Sequence, residues 1–152
     1  MMRIDEEIQS KFKSPMHRVI VNLRYTSNIL AARQHKFMSP FGLSMAQFNI
    51  LRILRGAKKT ISINTVKERM IEKSPNTTRL MDKLIEKELI LRERCESDRR
   101  IVYVKISKHG LKLLKEIDDA FEDKALNSKM IPTGLTEDEA DQLSNLLDKL
   151  RD

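Results

Sequence analysis

Residues 74–107 read SPNTTRLMDKLIEKELILRERCESDRRIVYVKIS and carry the clearest structural signal in the chain. The stretch opens on a serine and a proline, which favour a helix start because serine accepts hydrogen bonds from free backbone N–H groups and proline suits the first turn. Apolar residues then recur with the helical period at Leu80, Met81, Leu84 and Ile85. We therefore predict a helix that buries this face and ends near Lys87.

The pattern changes from a period of 3.6 to a period of 2 in the second half of the stretch. Residues 89–94 and 100–107 alternate between two sets of side chains, as strands do, and a short polar segment, 95–99, separates them. We predict a two-stranded β-hairpin with a charged tip. Its five cations are Arg92, Arg94, Arg99, Arg100 and Lys105.

On both sides of this stretch, the rest of the chain has patterns that predict helix. We predict helices from Ser14 to Met38, from Ser44 to Gly56 with a Ser44–Gln47 capping box, and from Ser62 to about Ile71. Downstream, a helix begins near Lys108, and the last helix opens on a second capping box. Three short helices followed by a charged hairpin are typical of a winged helix-turn-helix. The predicted fold class is therefore mainly α, with a small two-stranded wing.

Composition and charge exclude several classes of protein. The chain has 152 residues, 40% of them apolar and 34% charged, which fits one highly charged, helix-rich domain. The longest apolar runs have four residues, so no membrane span and no secretory signal are predicted. With one cysteine, a reducing cytoplasm is the expected location. No phosphate loop, metal-ligand spacing or nucleophile–base pair stands out, so we expect neither a cofactor nor an enzyme.

Charge is distributed unevenly along the chain. Residues 51–115 hold 18 basic and 8 acidic side chains, a net charge of +10, whereas residues 116–152 have a net charge of −7. A basic centre indicates a polyanionic partner for that part of the chain.

Polar residues of the 74–87 helix and the hairpin form the candidate DNA-binding site. Threonine and asparagine hydrogen-bond base edges in the major groove, arginine grips guanine, and a wing arginine enters the minor groove. Backbone N–H groups at a helix start bind a phosphate by donating hydrogen bonds to it. The candidates are Ser62, Ser74, Asn76, Thr77, Thr78, Arg79, Lys83, Arg92, Arg94, Asp98, Arg99 and Arg100.

Four motifs resemble the multiple antibiotic resistance regulator (MarR) family. The wing signature of that family is matched by Asp98, Arg100, Val104, Ile106, Ser107 and Gly110. Residues 42–47, 78–84 and 134–147 are similar to its second helix, recognition helix and C-terminal helix, and the resemblance runs from about Val19 to the end. It implies a homodimer with interlocked first and last helices. It also implies that Arg100 enters the minor groove, that Asp98 orients it, and that Thr77, Thr78 and Arg79 contact the major groove.

Together these observations predict a dimeric repressor that binds palindromic double-stranded DNA and is released by a small-molecule ligand. The predicted domains are a dimerisation helix (1–38), a DNA-binding lobe (39–107) and C-terminal dimerisation helices (108–152). The resemblance places a ligand cleft near His17, Arg18, Tyr25, Phe48 and Arg52. Two alternatives stay open: a winged-helix module that binds an acidic protein, and a redox-responsive regulator that uses Cys95.

Overall fold

The architecture is mainly helical, with one small sheet. The structure, a computed structural model, describes residues 2–72, 76–94, 101–123, 130 and 134–151. Helices α1 to α4 are Ile4–Glu7, Pro15–Met38, Met45–Ala57 and Ile63–Arg69, and α5 to α7 are Thr77–Glu86, Lys108–Glu122 and Glu137–Arg151. The strands are β1 (Ile61–Ser62), β2 (Ile90–Arg94) and β3 (Val102–Ile106). The predicted fold class is confirmed.

Two compact units divide the chain. The central unit is Gln34–Asp123, which takes in the last turn of α2, helices α3 to α6 and all three strands. The terminal unit combines Met1–Arg33 with Lys124–Asp152 and so holds α1, most of α2, and α7.

The sheet is antiparallel, with strand order β1-β3-β2. Strands β2 and β3 pair from Ile90 opposite Ile106 to Arg94 opposite Val102, which confirms the predicted hairpin strands. Strand β1 pairs Ile61 with Val104 and was not predicted. Two residues are too few to show an alternating pattern, so the sequence predicts only the helix that follows β1.

Side-chain caps fix most helix starts at the predicted serines. The Ser44 side chain accepts a hydrogen bond from the backbone of Gln47, and the Gln47 side chain accepts one from the backbone of Ser44. The predicted end of α3 at Gly56 is wrong, because the left-handed residue that stops the helix is Lys58, with φ of 54°. Helix α5 begins at Thr77, and the predicted starting residues Ser74 and Pro75 lie outside the described residues.

The start of α6 packs tightly against the beginning of the wing. The Ser107 hydroxyl accepts a hydrogen bond from the Gly110 N–H at 2.9 Å and donates one to the Glu88 carbonyl at 2.7 Å. A Cβ on Gly110 would lie 2.2 Å from the Leu89 carbonyl oxygen, so only glycine fits there. This junction closes the central core, whose buried members are Met38, Leu43, Phe48, Ile50, Leu51, Leu54, Ile61, Val66, Met70, Met81, Leu84, Leu89, Ile90, Val104, Leu114 and Ile117.

Apolar side chains remain on the surface of the terminal unit. None of the residues of α7 is buried, and only Met38, which lies in the central unit, is buried on α2. The large exposed apolar residues of this unit from α2 onward are Met16, Val19, Ile20, Leu23, Ile29, Leu135, Leu143 and Leu146. Within the described part of the chain, no helix combines the length and the apolar character that crossing a bilayer requires.

Candidate nucleic-acid interface

Helix α5 separates an apolar face from a polar face. Met81 and Leu84 are fully buried in the central core. Four of the predicted contacts, Asn76, Thr78, Arg79 and Lys83, are exposed. A surface groove of about 560 Å³ runs along this side of the helix and is lined by Asn76, Arg79, Leu80, Asp82, Lys83 and Glu86. The exposed face thus offers hydrogen-bonding groups and cations on a helix whose opposite face is buried in the core.

Thr77 is an exception among the predicted contacts. Its exposed fraction is 1%, so the prediction that it lies on the outward face is wrong. The reason is helical geometry, because residues four and seven positions after it, Met81 and Leu84, lie on the same side of the helix and face the core. The neighbouring Thr78 and Arg79 keep the outward direction.

A charge pair links the wing to α5. The Arg92 guanidinium on β2 lies 4.0 Å from the Asp82 carboxylate on α5, and both side chains are about half exposed. An exposed pair of this kind contributes at most about 1 kcal/mol, so its importance is geometric. It places a wing cation beside the polar face of the helix. Sequence reasoning missed Asp82, because no spacing rule connects a helix position with a strand position.

Of the remaining predicted DNA contacts, two lie within the described residues and four do not. Ser62 is partly buried and caps α4, since its hydroxyl accepts the Thr65 N–H at 3.1 Å. Arg94 is the last residue of β2. Four predicted contacts, Ser74, Asp98, Arg99 and Arg100, lie outside the described residues, and so does the candidate redox residue Cys95. Their roles stay predictions.

A lysine at the end of α5 ties the helix to the start of the central unit. The Lys87 ammonium donates a hydrogen bond of 2.5 Å to the Gly42 carbonyl. Gly42 has a φ of 64°, a left-handed conformation that glycine adopts without strain. Lys87 is exposed, but its ammonium is engaged by its own chain.

Three candidate ligand-binding residues lie on α2 in the terminal unit. His17 is exposed, Arg18 pairs with Asp5 at 2.7 Å, and Tyr25 donates a hydrogen bond of 3.0 Å to Glu7. That hydrogen bond, followed by desolvation and the charge of Glu7, raises the pKa of the Tyr25 phenol. These contacts hold α1 against α2.

The other two candidates belong to the central unit. Phe48 is buried in the core and packs on Phe121, with ring centroids 5.9 Å apart. Arg52 is exposed and holds its guanidinium 5.7 Å from the centre of the Phe48 ring. A ligand cleft formed by all five candidates stays a prediction. Among the residues that the structure describes, no group of three or more metal-binding side chains forms.

Comparison with known proteins identifies the family. A family model described as transcriptional regulator SarA/Rot matches residues 34–117, which cover the central unit almost completely and more than half of the chain. The chain belongs to the SarA/Rot family of transcriptional regulators. Its family match contains α5, both wing strands and the Asp82–Arg92 pair.

Relatives of this SarA/Rot-family chain confirm the MarR resemblance. The HTH-type transcriptional regulator MhqR of Bacillus subtilis is 27% identical over 116 residues, which are 76% of this chain and 77% of the relative. A mutant of MarR from Escherichia coli, solved in complex with operator DNA, matches with a TM-score of 0.71 and 25% identity over 98% of this chain and 99% of that one. BpsR of Bordetella bronchiseptica matches with a TM-score of 0.74 and 24% identity over 89% and 99% of the two chains. The SarA/Rot-family chain is thus a transcriptional regulator with the MarR-type winged-helix fold.

Proposed function

We propose that this SarA/Rot-family chain is a dimeric repressor that binds a palindromic DNA site through α5 and the wing. One observation carries the proposal: the exposed face of α5, with Arg79 and Lys83, lies beside a wing strand whose Arg92 contacts Asp82. Arginine in a major groove binds guanine with two hydrogen bonds, and nearby cations bind phosphates. The structural neighbour MarR holds operator DNA, which supports the same use of this fold.

In a dimer, a second copy of the chain would bury the exposed apolar surface of the terminal unit. Met16, Val19, Ile20 and Leu23 lie at spacings of 3 and 4 on α2, so they share one face, and each is at least 39% exposed. Burial of a large apolar side chain contributes about 1.5–3 kcal/mol. A second copy that covers this face would gain that energy and would pair two copies of α5. Two recognition helices related by a two-fold axis read half-sites about one helical turn apart.

A small-molecule effector is the third part of the proposal. DNA binding by BpsR is regulated by 6-hydroxynicotinic acid, which supports control by a small-molecule effector in this fold. For this chain the proposed effector contacts are His17, Arg18 and Tyr25 in the terminal unit, and Phe48 and Arg52 in the central unit. A ligand that binds one dimer spacing better than another would lower the population that fits both half-sites.

The test measures binding of the purified protein to the DNA upstream of its own gene by fluorescence anisotropy, with excess nonspecific duplex present. We expect Arg79→Ala to weaken specific binding about 10- to 100-fold, because a lost arginine–guanine pair removes about 1–3 kcal/mol of discrimination. Arg33→Ala removes the same charge from an exposed position on α2 and is the matched control. Arg100→Ala tests the predicted wing contact in the same assay.

Salt dependence separates specific recognition from general attraction to polyanions. The slope of log K against log salt is negative, and each phosphate contact that is lost lowers its magnitude by about 1. The proposal fails if Arg79→Ala and Arg33→Ala bind alike, or if nonspecific duplex abolishes binding to every upstream fragment tested.

A further inference from the structure

A second groove lies in the central unit, away from the polar face of α5. It has a volume of about 380 Å³ and is formed where the end of α3, strand β3 and the first turn of α6 meet. The residues that matter here are Leu54, Arg55, Lys58, Lys59, Lys105 and Leu111, and we call this surface the basic groove. Neither the predicted DNA contacts nor the predicted ligand cleft includes any of these six residues.

The cations of the basic groove differ in how they are engaged. Arg55 pairs with Asp118 at 2.5 Å, and Lys105 pairs with Glu93. Lys58 and Lys59 are exposed on the turn after α3, and in the described part of the chain neither makes an ion pair. These two lysines therefore give the groove positive charge that no ion pair among the described residues neutralises.

Helix α6 extends this positive surface and adds an apolar centre. Lys108, Lys112 and Lys115 are exposed, and their spacings of 4 and 3 put them on one face of the helix. Leu111 lies on the same side, three residues after Lys108 and four before Lys115, and is 43% exposed. The basic groove therefore combines a cationic rim with an apolar contact, the complement of an acidic amphipathic segment.

The strand register sets the distance of the groove from the predicted DNA contacts. Strand β3 runs from Val102, next to the predicted wing tip, to Ile106 at the groove. Four residue steps along a strand span about 13 Å. Helix α5 likewise begins at Thr77 with the predicted base contacts, and its last residue, Glu86, precedes the base of the sheet. Two other predicted contacts lie within three residue steps of Ile106 in the register, since Ser62 pairs with Tyr103 and Arg92 pairs with Val104.

We propose that the basic groove is a docking site for an acidic amphipathic segment of a partner protein. Carboxylates of that segment would meet Lys58 and Lys59, and an apolar side chain would lie on Leu111. A nucleic acid would use the cations but would gain little from an exposed leucine, so the groove favours a protein segment. The proposal goes beyond DNA binding and does not depend on it.

The probe is a fluorescein-labelled helical peptide of about 15 residues, four helical turns, in which leucines recur every three or four positions among glutamates. Anisotropy measures its binding to the full chain. We expect Lys58→Glu combined with Lys59→Glu to weaken binding at least about tenfold, because like charges then face each other. Leu111→Ser should weaken it several-fold. The matched control is Lys11→Glu with Lys13→Glu, the same charge change at exposed positions of the terminal unit.

Three results would overturn the proposal. The first is equal binding of the probe by the parent, the groove variant and the matched control. The second is equal binding of a peptide in which serine replaces every leucine, because charge by itself would then account for the binding. The third is displacement of the probe by a short duplex that the groove variant no longer binds, which would make the groove a nucleic-acid site. Thermal melting checks each variant, and Lys58→Gln with Lys59→Gln replaces the glutamate pair if that pair unfolds the chain.

Discussion

Helices α5 and α7 have the same amphipathic pattern but use it in opposite ways. In α5 the apolar residues Met81 and Leu84 are fully buried in the central unit. In α7 no residue is buried, and Leu143 and Leu146 are 46% and 61% exposed. The apolar face of α5 is therefore buried by its own chain, and only its polar face is available to bind a ligand. The apolar face of α7 stays exposed, which favours binding of an apolar partner.

The first turns of the two helices differ in charge as well. Helix α7 begins with Glu137, Asp138 and Glu139, which stabilise the positive end of the helix dipole and repel phosphate. The first turn of α5 contains two threonines and an arginine and no acidic residue. A phosphate can therefore approach the start of α5, whereas the start of α7 is neutralised by its own side chains.

The largest effect is expected from replacing the exposed leucines of α7. If these leucines form the dimer interface, Leu143→Ser with Leu146→Ser removes about 3–6 kcal/mol of apolar burial per chain and raises the dimer dissociation constant at least about 100-fold. Sedimentation velocity across a concentration series measures this dissociation constant. Asn145→Ser, on the opposite side of α7, is the control and should leave the dimer intact. An unchanged dimer in the double variant would mean that α7 is not completed by a second copy.

Helix α5 should respond to a similar change through folding instead. Leu84→Ala empties a site with no exposed surface and should lower the free energy of unfolding by about 2–5 kcal/mol. Urea denaturation followed by circular dichroism measures it. Leu91→Ala is the same change at a 46% exposed position of β2 and should stay within about 0.5 kcal/mol. Equal losses in the two variants would contradict the assignment of Leu84 to the core.

The charge contrast between the first turns can be removed by one substitution. Thr78→Glu places an acid at the start of α5, as in α7, and should weaken DNA binding about 10- to 100-fold through repulsion of phosphate. Folding stability should rise slightly, because an acid near a helix start is favourable. Thr78→Gln has the same size without the charge and should weaken binding far less. If the two variants lose affinity equally, the side chain of Thr78 matters and the charge does not.

Periodicity and capping signals were sufficient to predict most of the fold. The stripe Leu80–Ile85, the alternation in residues 102–106 and the capping serines are local features, and the structure confirms the helices and strands that they predict. Strand β1 could not be predicted because its two residues are defined by pairing with β3, which is remote in sequence. Local patterns report local structure, and β1 depends on a long-range contact.

The candidate site was less predictable than the fold for the same reason. The exposed positions of α5 follow from its stripe, and the burial of Thr77 follows from it too, because Thr77 lies four residues before the buried Met81. The Asp82–Arg92 pair joins a helix position to a strand position, and the basic groove joins segments from Leu54 to Leu111 that lie far apart along the chain. The sequence signal for both is only the excess of positive charge in residues 51–115, which does not say which cations meet.

The smallest expected effect concerns the capping box of α7. The Glu139 carboxylate accepts the Thr136 N–H at 2.8 Å, and this hydrogen bond lowers the pKa of Glu139. Because the folded-state pKa is lowered, the stabilisation is present above the ordinary carboxyl range and is lost as the pH falls through the lowered pKa. Glu139→Gln should therefore lower Tm by about 1–2 °C at pH 7 but not in strong acid. Glu137→Gln removes a charge from the same turn but leaves this hydrogen bond, and an equal pH-dependent loss there would show that the helix dipole, not the cap, stabilises the start of α7.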